Sequence, residues 1–175
     1  MSKPRSLHDR NNSFGWLSIG LHWFATVAII LMWFIGQSIA LQSIEQIDAR
    51  RSLHVTLGLI VWLPLVARIV WRFKAGHPRV NGQTLMTHRL AKAAHYVMLL
   101  LLLVMLISGP LMAWVMPERS ALSEIAFSFH SFAAKALAVL VVLHILAALK
   151  HLMFHGDETV ARIFVPRTED ALDEE

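Results

Sequence analysis

The stretch that decides the fold begins at Ile125 and reads IAFSFHSFAAKALAVLVVLHILAAL up to Leu149. As a helix it is long enough to cross a bilayer, which takes about 20 residues. It carries His130 and His144, and Lys135 is its only Lys, Arg, Asp or Glu. A spacing of fourteen residues places the two histidines within about 40° of one helix face and about 21 Å apart along the axis. The stretch therefore predicts a transmembrane helix that offers one histidine to each half of the membrane.

Three other apolar stretches predict further spans, so that the four helices cover residues of about 16–40, 52–73, 91–116 and 125–149. The chain is 56% hydrophobic and only 16% charged, less charged than an average soluble domain. No period-2 alternation typical of strands is present. The sequence therefore predicts an all-α integral membrane protein. A four-transmembrane-helix bundle would form one domain over residues 1–167, and the acidic tail 168–175 is predicted to be disordered.

The distribution of basic residues predicts the orientation. If the N-terminus is cytoplasmic, most of the 16 Lys and Arg residues lie on that side, and only Arg50, Arg51 and Arg119 lie opposite. The positive-inside rule then places both termini in the cytoplasm, which predicts a multi-pass protein of a bacterial inner membrane. The basic residues lie between apolar blocks and form no single patch, so we expect membrane lipid and no nucleic acid as a partner.

Depth in the membrane sorts the histidines into two groups. His54 and His130 fall near the outer ends of their helices, while His22, His95 and His144 fall near the inner ends. Ionisable side chains inside a membrane are costly and indicate function. The outer pair is therefore His54 with His130. On the inner side His22 is the natural partner of His144, and His95 competes with it.

Two pairs of imidazoles stacked across a bundle suit two b-type haems, because imidazole nitrogens ligate haem iron axially. The chain has no cysteine, which excludes covalent c-type attachment through C-x-x-C-H. Zinc is the alternative metal, but a structural zinc site needs four ligands. Transport of metal ions or protons without haem is therefore the alternative chemistry.

Three other residues are candidates for contact with a haem. Gly58, four residues after His54, would admit a flat ring or serve ordinary helix packing. Arg68 lies at the inner level, where it would bind an inner propionate or only anchor its helix by snorkelling. Lys135 would bind an outer propionate or face a water-filled pocket. Gly109 and Pro110 are expected to break the third helix opposite the outer haem, or only to kink it as a proline does.

These residues resemble the bacterial cytochrome b-561 family, and the arrangement is similar to the dihaem b subunits of membrane hydrogenases and formate dehydrogenases. The resemblance rests on Ile19-Gly20-Leu21-His22-Trp23, on His54-Val55-Thr56-Leu57-Gly58 with Arg68, on His95-Tyr96 with Gly109, and on His130 with His144. It implies a cytoplasmic haem held by His22 and His144 and a periplasmic haem held by His54 and His130. It also implies that some relatives oxidise superoxide at the periplasmic face and reduce ubiquinone.

We therefore expect a dihaem cytochrome that carries single electrons from a small periplasmic donor, with superoxide first among candidates, to ubiquinone as substrate. His95 and His151 are candidates for the quinone site or for proton delivery. The sequence names no catalytic residue. The alternative from another class is a haem-bearing membrane anchor subunit of a dehydrogenase or hydrogenase, so the expected protein partner is a redox subunit or a second copy of the chain.

Overall fold

The computed structural model describes residues 6–9, 13–39, 44–76, 84–115, 120–154 and 161–166. Their long elements are four helices, α1 (Trp16–Ile39), α2 (Ile44–Ala75), α3 (Leu85–Val115) and α4 (Ala121–Phe154), and a short 3-10 helix follows at Ala161–Ile163. Each of the four is long and apolar enough to span a membrane. The prediction of an all-α fold with four transmembrane helices is confirmed.

Three of the helices are longer than the apolar stretches predict. The second begins at Ile44 instead of near residue 52, the third at Leu85 instead of near 91, and the fourth runs from Ala121 to Phe154. Hydropathy detects only the segment that lies in lipid, whereas backbone hydrogen bonding continues the helix into the polar region on either side. The acidic tail 168–175 lies outside the described residues.

The bundle is built from two helical hairpins. Within the described residues α1 packs most closely on α2 and α3 on α4, while α2 and α3 make a smaller contact. The buried core runs through all four helices and consists of Ala25, Ala28, Leu65, Ile69, Leu99, Leu102, Leu106 and Leu137. Alanines on α1 allow its backbone to approach its neighbour closely, as is usual in membrane bundles.

Pro110 lies inside α3 and does not break the helix. The backbone carbonyl that it leaves without a partner forms a link between the two hairpins. Pro110 has no N–H, so the carbonyl of Leu106 one turn earlier has no donor within α3. The indole Nε1 of Trp62 on α2 donates to that carbonyl at 2.9 Å. The expected break at Gly109 and Pro110 is therefore wrong. The helix continues to Val115 because a neighbouring helix satisfies the freed carbonyl.

A buried ion pair fastens the segment before α1 to the end of α2. Arg72 is 3% exposed, and its Nη2 lies 3.3 Å from Oδ2 of Asp9. The Ser18 hydroxyl donates to the same carboxylate oxygen at 2.7 Å and accepts from Arg72 at 2.8 Å and from the Trp71 indole at 2.7 Å. The backbone N–H of Gly15 donates to Oδ1 of Asp9 at 2.9 Å. The segment therefore covers one end of the bundle.

The described C-terminal segment, residues 161–166, returns to the same end of the bundle. The Trp23 indole donates to the carbonyl of Ile163 at 2.8 Å, and its ring lies 4.9 Å from that of Phe164. The two described terminal segments, residues 6–9 and 161–166, therefore meet the bundle beside the first turns of α1.

Candidate functional site

Each long helix carries two site residues fourteen positions apart, so the bundle has two layers separated by about 21 Å of helix rise. We call the layer nearer to the chain ends the inner layer and the other the outer layer. The inner layer consists of His22, Arg68, His95 and His144, and the outer layer of Gly36, His54, Gly109 and His130. The helical register therefore gathers one residue from every helix at each depth.

In the outer layer two imidazoles face each other, each backed by a glycine. The ring centres of His54 and His130 are 6.3 Å apart, and the rings are nearly perpendicular at 85°. A Cβ added at Gly36 would lie 3.2 Å from Cε1 of His54, and one at Gly109 would lie 3.3 Å from Cε1 of His130. Any residue larger than glycine at position 36 or 109 would therefore narrow the space that the facing imidazole occupies.

The outer histidines differ in what their Nδ1 atoms contact. Nδ1 of His130 lies 3.1 Å from the hydroxyl of Ser108, a residue that is 5% exposed. That hydroxyl also lies 2.7 Å from the carbonyl of Val104. Nδ1 of His54 is buried and has no hydrogen-bond partner. The surroundings of the pair are therefore asymmetric.

The inner layer brings three histidines and an arginine together. The ring centres of His22 and His144 are 6.5 Å apart, and those of His95 and His144 are 5.0 Å apart. Nη2 of Arg68 lies 3.2 Å from Nδ1 of His22, and its Nη1 is buried without a hydrogen-bond partner. The layer therefore holds a half-buried cation, one of whose nitrogens is free to donate a hydrogen bond.

Three of the predicted site residues lie away from these layers. A Cβ at Gly58 would meet the flexible end of Met32 at 3.4 Å, so this glycine faces a methionine and no histidine. Lys135 is exposed, and its position five residues after His130 is about 140° around the helix from it. The structure does not bring Lys135 to the outer pair, and its role at a propionate stays a prediction. His151 is half-buried and follows His144 by seven residues on the same face.

The sequence interpretation missed Gly36 and Ser108. The signal for Gly36 was present, because it follows His22 by the same fourteen residues that separate His130 from His144. Ser108 had no comparable signal, since an intramembrane serine most often bonds only its own helix.

The distance between the rings tests whether each pair suits one metal ion. A ligating imidazole nitrogen lies about 2 Å from its metal and about 1.2 Å from its own ring centre, so opposed ligands have centres about 6.4 Å apart. The outer pair at 6.3 Å and the inner pair at 6.5 Å fit this spacing. In the described part of the chain, no group of three or more His, Cys, Asp or Glu side chains could hold a metal ion. Two opposed ligands suit haem iron better than zinc.

A four-span bundle whose core holds opposed imidazoles is the architecture of a membrane b-type cytochrome. Residues 13–166 match the sequence model of the prokaryotic cytochrome b561 family, and the chain belongs to that family. It is also similar to cytochrome b561 homolog 2 of Escherichia coli strain K12, at 25% identity over 178 residues that cover 90% of this chain and 94% of that protein. The chain is accordingly a multi-pass protein of the bacterial inner membrane that binds haem b and transfers electrons.

Proposed function

We propose that this protein carries single electrons across the inner membrane through two b haems, from a small periplasmic donor to ubiquinone. Superoxide is the donor we favour, and the balanced reaction converts two superoxide ions, one ubiquinone and two protons into two dioxygen molecules and one ubiquinol. Each bound haem supplies a one-electron carrier, while the protein supplies ligands, orientation and electrostatics.

The observation that carries the proposal is the spacing of two histidine pairs in two layers. The pairs His54 with His130 and His22 with His144 both lie near the separation of about 6.4 Å expected of two imidazoles that would hold one metal ion between them. The competing inner partner, His95, lies only 5.0 Å from His144, about 1.4 Å too close for one metal between the rings. The geometry therefore favours His22 as the inner ligand.

Arg68 supports the inner haem by its chemistry. It donates to Nδ1 of His22, which requires the ring proton of that histidine to sit on Nε2. A histidine that ligates through Nε2 carries its proton on Nδ1 and offers Arg68 nothing to bind. The guanidinium is then free to pair with an anion, and a propionate of the inner haem is a fitting partner.

Residues at the two ends of the bundle suit the two substrates. Arg50 and Arg51 are exposed at the outer end, and the pair that Arg51 forms with Asp48 at 3.8 Å is weak and screened by solvent. Their charge would attract an anionic donor such as superoxide. At the inner end, His95 and His151 are the candidates for delivering protons to ubiquinone.

The first test is a reduced-minus-oxidised visible spectrum of the purified protein, with haem content per chain. We expect two b haems in the wild type, and one after His130→Ala or His22→Ala. His88→Ala, outside both layers, is the control and should keep two. A wild type with fewer than two haems refutes the dihaem proposal, and full haem content in His130→Ala refutes the ligand assignment.

A second arm tests the substrates. Superoxide generated outside reconstituted vesicles should reduce ubiquinone in the wild type, and the reaction should fail in His130→Ala. A fully loaded protein that does not respond to superoxide would exclude this donor but leave the role in electron transfer intact.

A membrane anchor subunit is the second candidate function, and Lys135 is the observation that favours it. Its side chain is exposed near the middle of α4, where an unpaired cation facing lipid is costly. A partner helix with an intramembrane carboxylate would relieve that cost, whereas a second copy of this chain meeting at the same face would oppose two lysines. Lys135→Met should then reduce the size of the complex extracted in mild detergent, and an unchanged size would remove this candidate.

A further inference from the structure

The hydroxyl of Ser108 has a single proton, and its two neighbours determine where that proton goes. The carbonyl of Val104 can only accept, and it lies 2.7 Å away. If the hydroxyl donates to the carbonyl, it must accept from Nδ1 of His130 at 3.1 Å. The ring proton of His130 then sits on Nδ1, and the lone pair of Nε2 is left for a metal.

We propose that Ser108 is a positioning residue that fixes this tautomer of His130 and lowers the reduction potential of the outer haem below that of the inner one. The inference rests on the proposed dihaem function. Ser108 is 5% exposed, so no lipid or water competes for its hydroxyl. Gly109, the next residue, leaves room for the edge of the His130 ring that carries Cε1. Two adjacent residues of α3 therefore set both the position and the protonation of His130.

The direction of the effect follows from the charge at each iron. A histidine that donates its Nδ1 proton is a more basic ligand, which stabilises the oxidised metal and lowers the potential. The other outer histidine, His54, has no such partner at its Nδ1. Ser108 therefore supplies the side-chain hydrogen bond that distinguishes His130 from His54, beside a backbone hydrogen bond between His130 and Met105.

The inner layer has the opposite electrostatics. Arg68 contacts His22 directly, and Arg72 lies one helical turn further along α2. Asp9 neutralises Arg72, and no ion pair with Arg68 is formed by a described carboxylate. By offsetting the negative charge of an inner propionate, Arg68 would favour the reduced state of the inner haem and raise its potential. On the proposed function, Arg68 and Ser108 would together make the inner site the more favourable one for an electron.

The test is an optical redox titration of the purified holoprotein, with haem content measured on each sample. The wild type should show two one-electron components. Ser108→Ala should raise only the lower of the two reduction potentials. The expected shift is up to 59 mV, which corresponds to a tenfold change in the equilibrium constant of a one-electron couple. Ser108→Thr keeps the hydroxyl and should retain both wild-type values. Ser128→Ala removes an exposed hydroxyl that also bonds its own helix, and it is the matched control that should change neither.

The outcomes separate this inference from the function on which it rests. If the wild-type protein binds no haem, the proposed function itself is refuted. Two haems with a lower component that Ser108→Ala leaves unchanged, or a shift only in the higher component, overturn the role of Ser108 alone. If Ser108→Ala loses the outer haem, the Ser108→Thr variant provides the test. Two haems at wild-type potentials in Ser108→Thr support the role of Ser108. Loss of haem or a raised potential in that variant overturns it.

Discussion

Replacing Gly36 by alanine tests the close approach of α1 to the outer histidine pair. The new Cβ would lie 3.2 Å from Cε1 and 3.5 Å from Nδ1 of His54, whereas carbon atoms prefer about 3.5–4.0 Å. The ring would have to move by a few tenths of an ångström, which a ring held by a metal cannot do freely. Overpacking of this kind costs about 1–3 kcal/mol. Because about 1.4 kcal/mol is a factor of ten, we expect haem at the outer site to bind roughly 5- to 150-fold more weakly.

Transfer of haem from the reduced, purified protein to an excess of apomyoglobin measures the change, since the spectrum reports each haem lost. Gly20→Ala is the matched control, because it lies on the same helix and its Cβ would meet nothing within 4 Å. We expect Gly36→Ala to release one haem much faster and the other at the wild-type rate. If Gly36→Ala and Gly20→Ala retain both haems equally well, the glycine does not accommodate the ring and the reasoning is refuted.

Three further substitutions test the contacts that hold the bundle together. Trp62→Phe leaves the carbonyl of Leu106 without a donor and should lower the free energy of unfolding by about 1–3 kcal/mol, measured by thermal melting in detergent; an unchanged melting temperature would contradict the proposed link between the hairpins. Asp9→Ala leaves the charge of Arg72 buried and unpaired, which costs about 3–5 kcal/mol, and should speed proteolysis of the N-terminal segment, whereas wild-type resistance would show that the ion pair does not hold it. Trp23→Phe should increase hydrogen exchange in residues 161–166 and nowhere else, because it removes their hydrogen bond to α1.

The spans and the outer pair were predictable because both depend on local periodicity. A run of apolar residues fixes a helix and its depth, and a fourteen-residue spacing fixes the face that two residues share. His54 and His130 could therefore be matched by depth before any contact was known. The same rule applied to His22 points to Gly36.

The remaining features depend on contacts between distant parts of the chain. Pro110 was expected to interrupt its helix, and only the position of Trp62 shows why it does not. Arg72 counted as one of many basic residues that set topology, yet it is 3% exposed and pairs with a carboxylate far away in the sequence. The contact of Ser108 with His130 requires the rotation of α3 against α4, which no local pattern encodes.

The two-hairpin construction has a consequence for biogenesis. Both histidine pairs join the first hairpin to the second, while α1 and α4 otherwise pack little against each other in the described residues. Each hairpin can insert and fold by its own contacts, as transmembrane helices do before they associate. On the proposed ligand assignment, haem binding would add an inter-hairpin crosslink to the contact between α2 and α3. A chain divided between α2 and α3 and expressed as two pieces should reassemble more completely in haem-replete cells than in haem-starved ones.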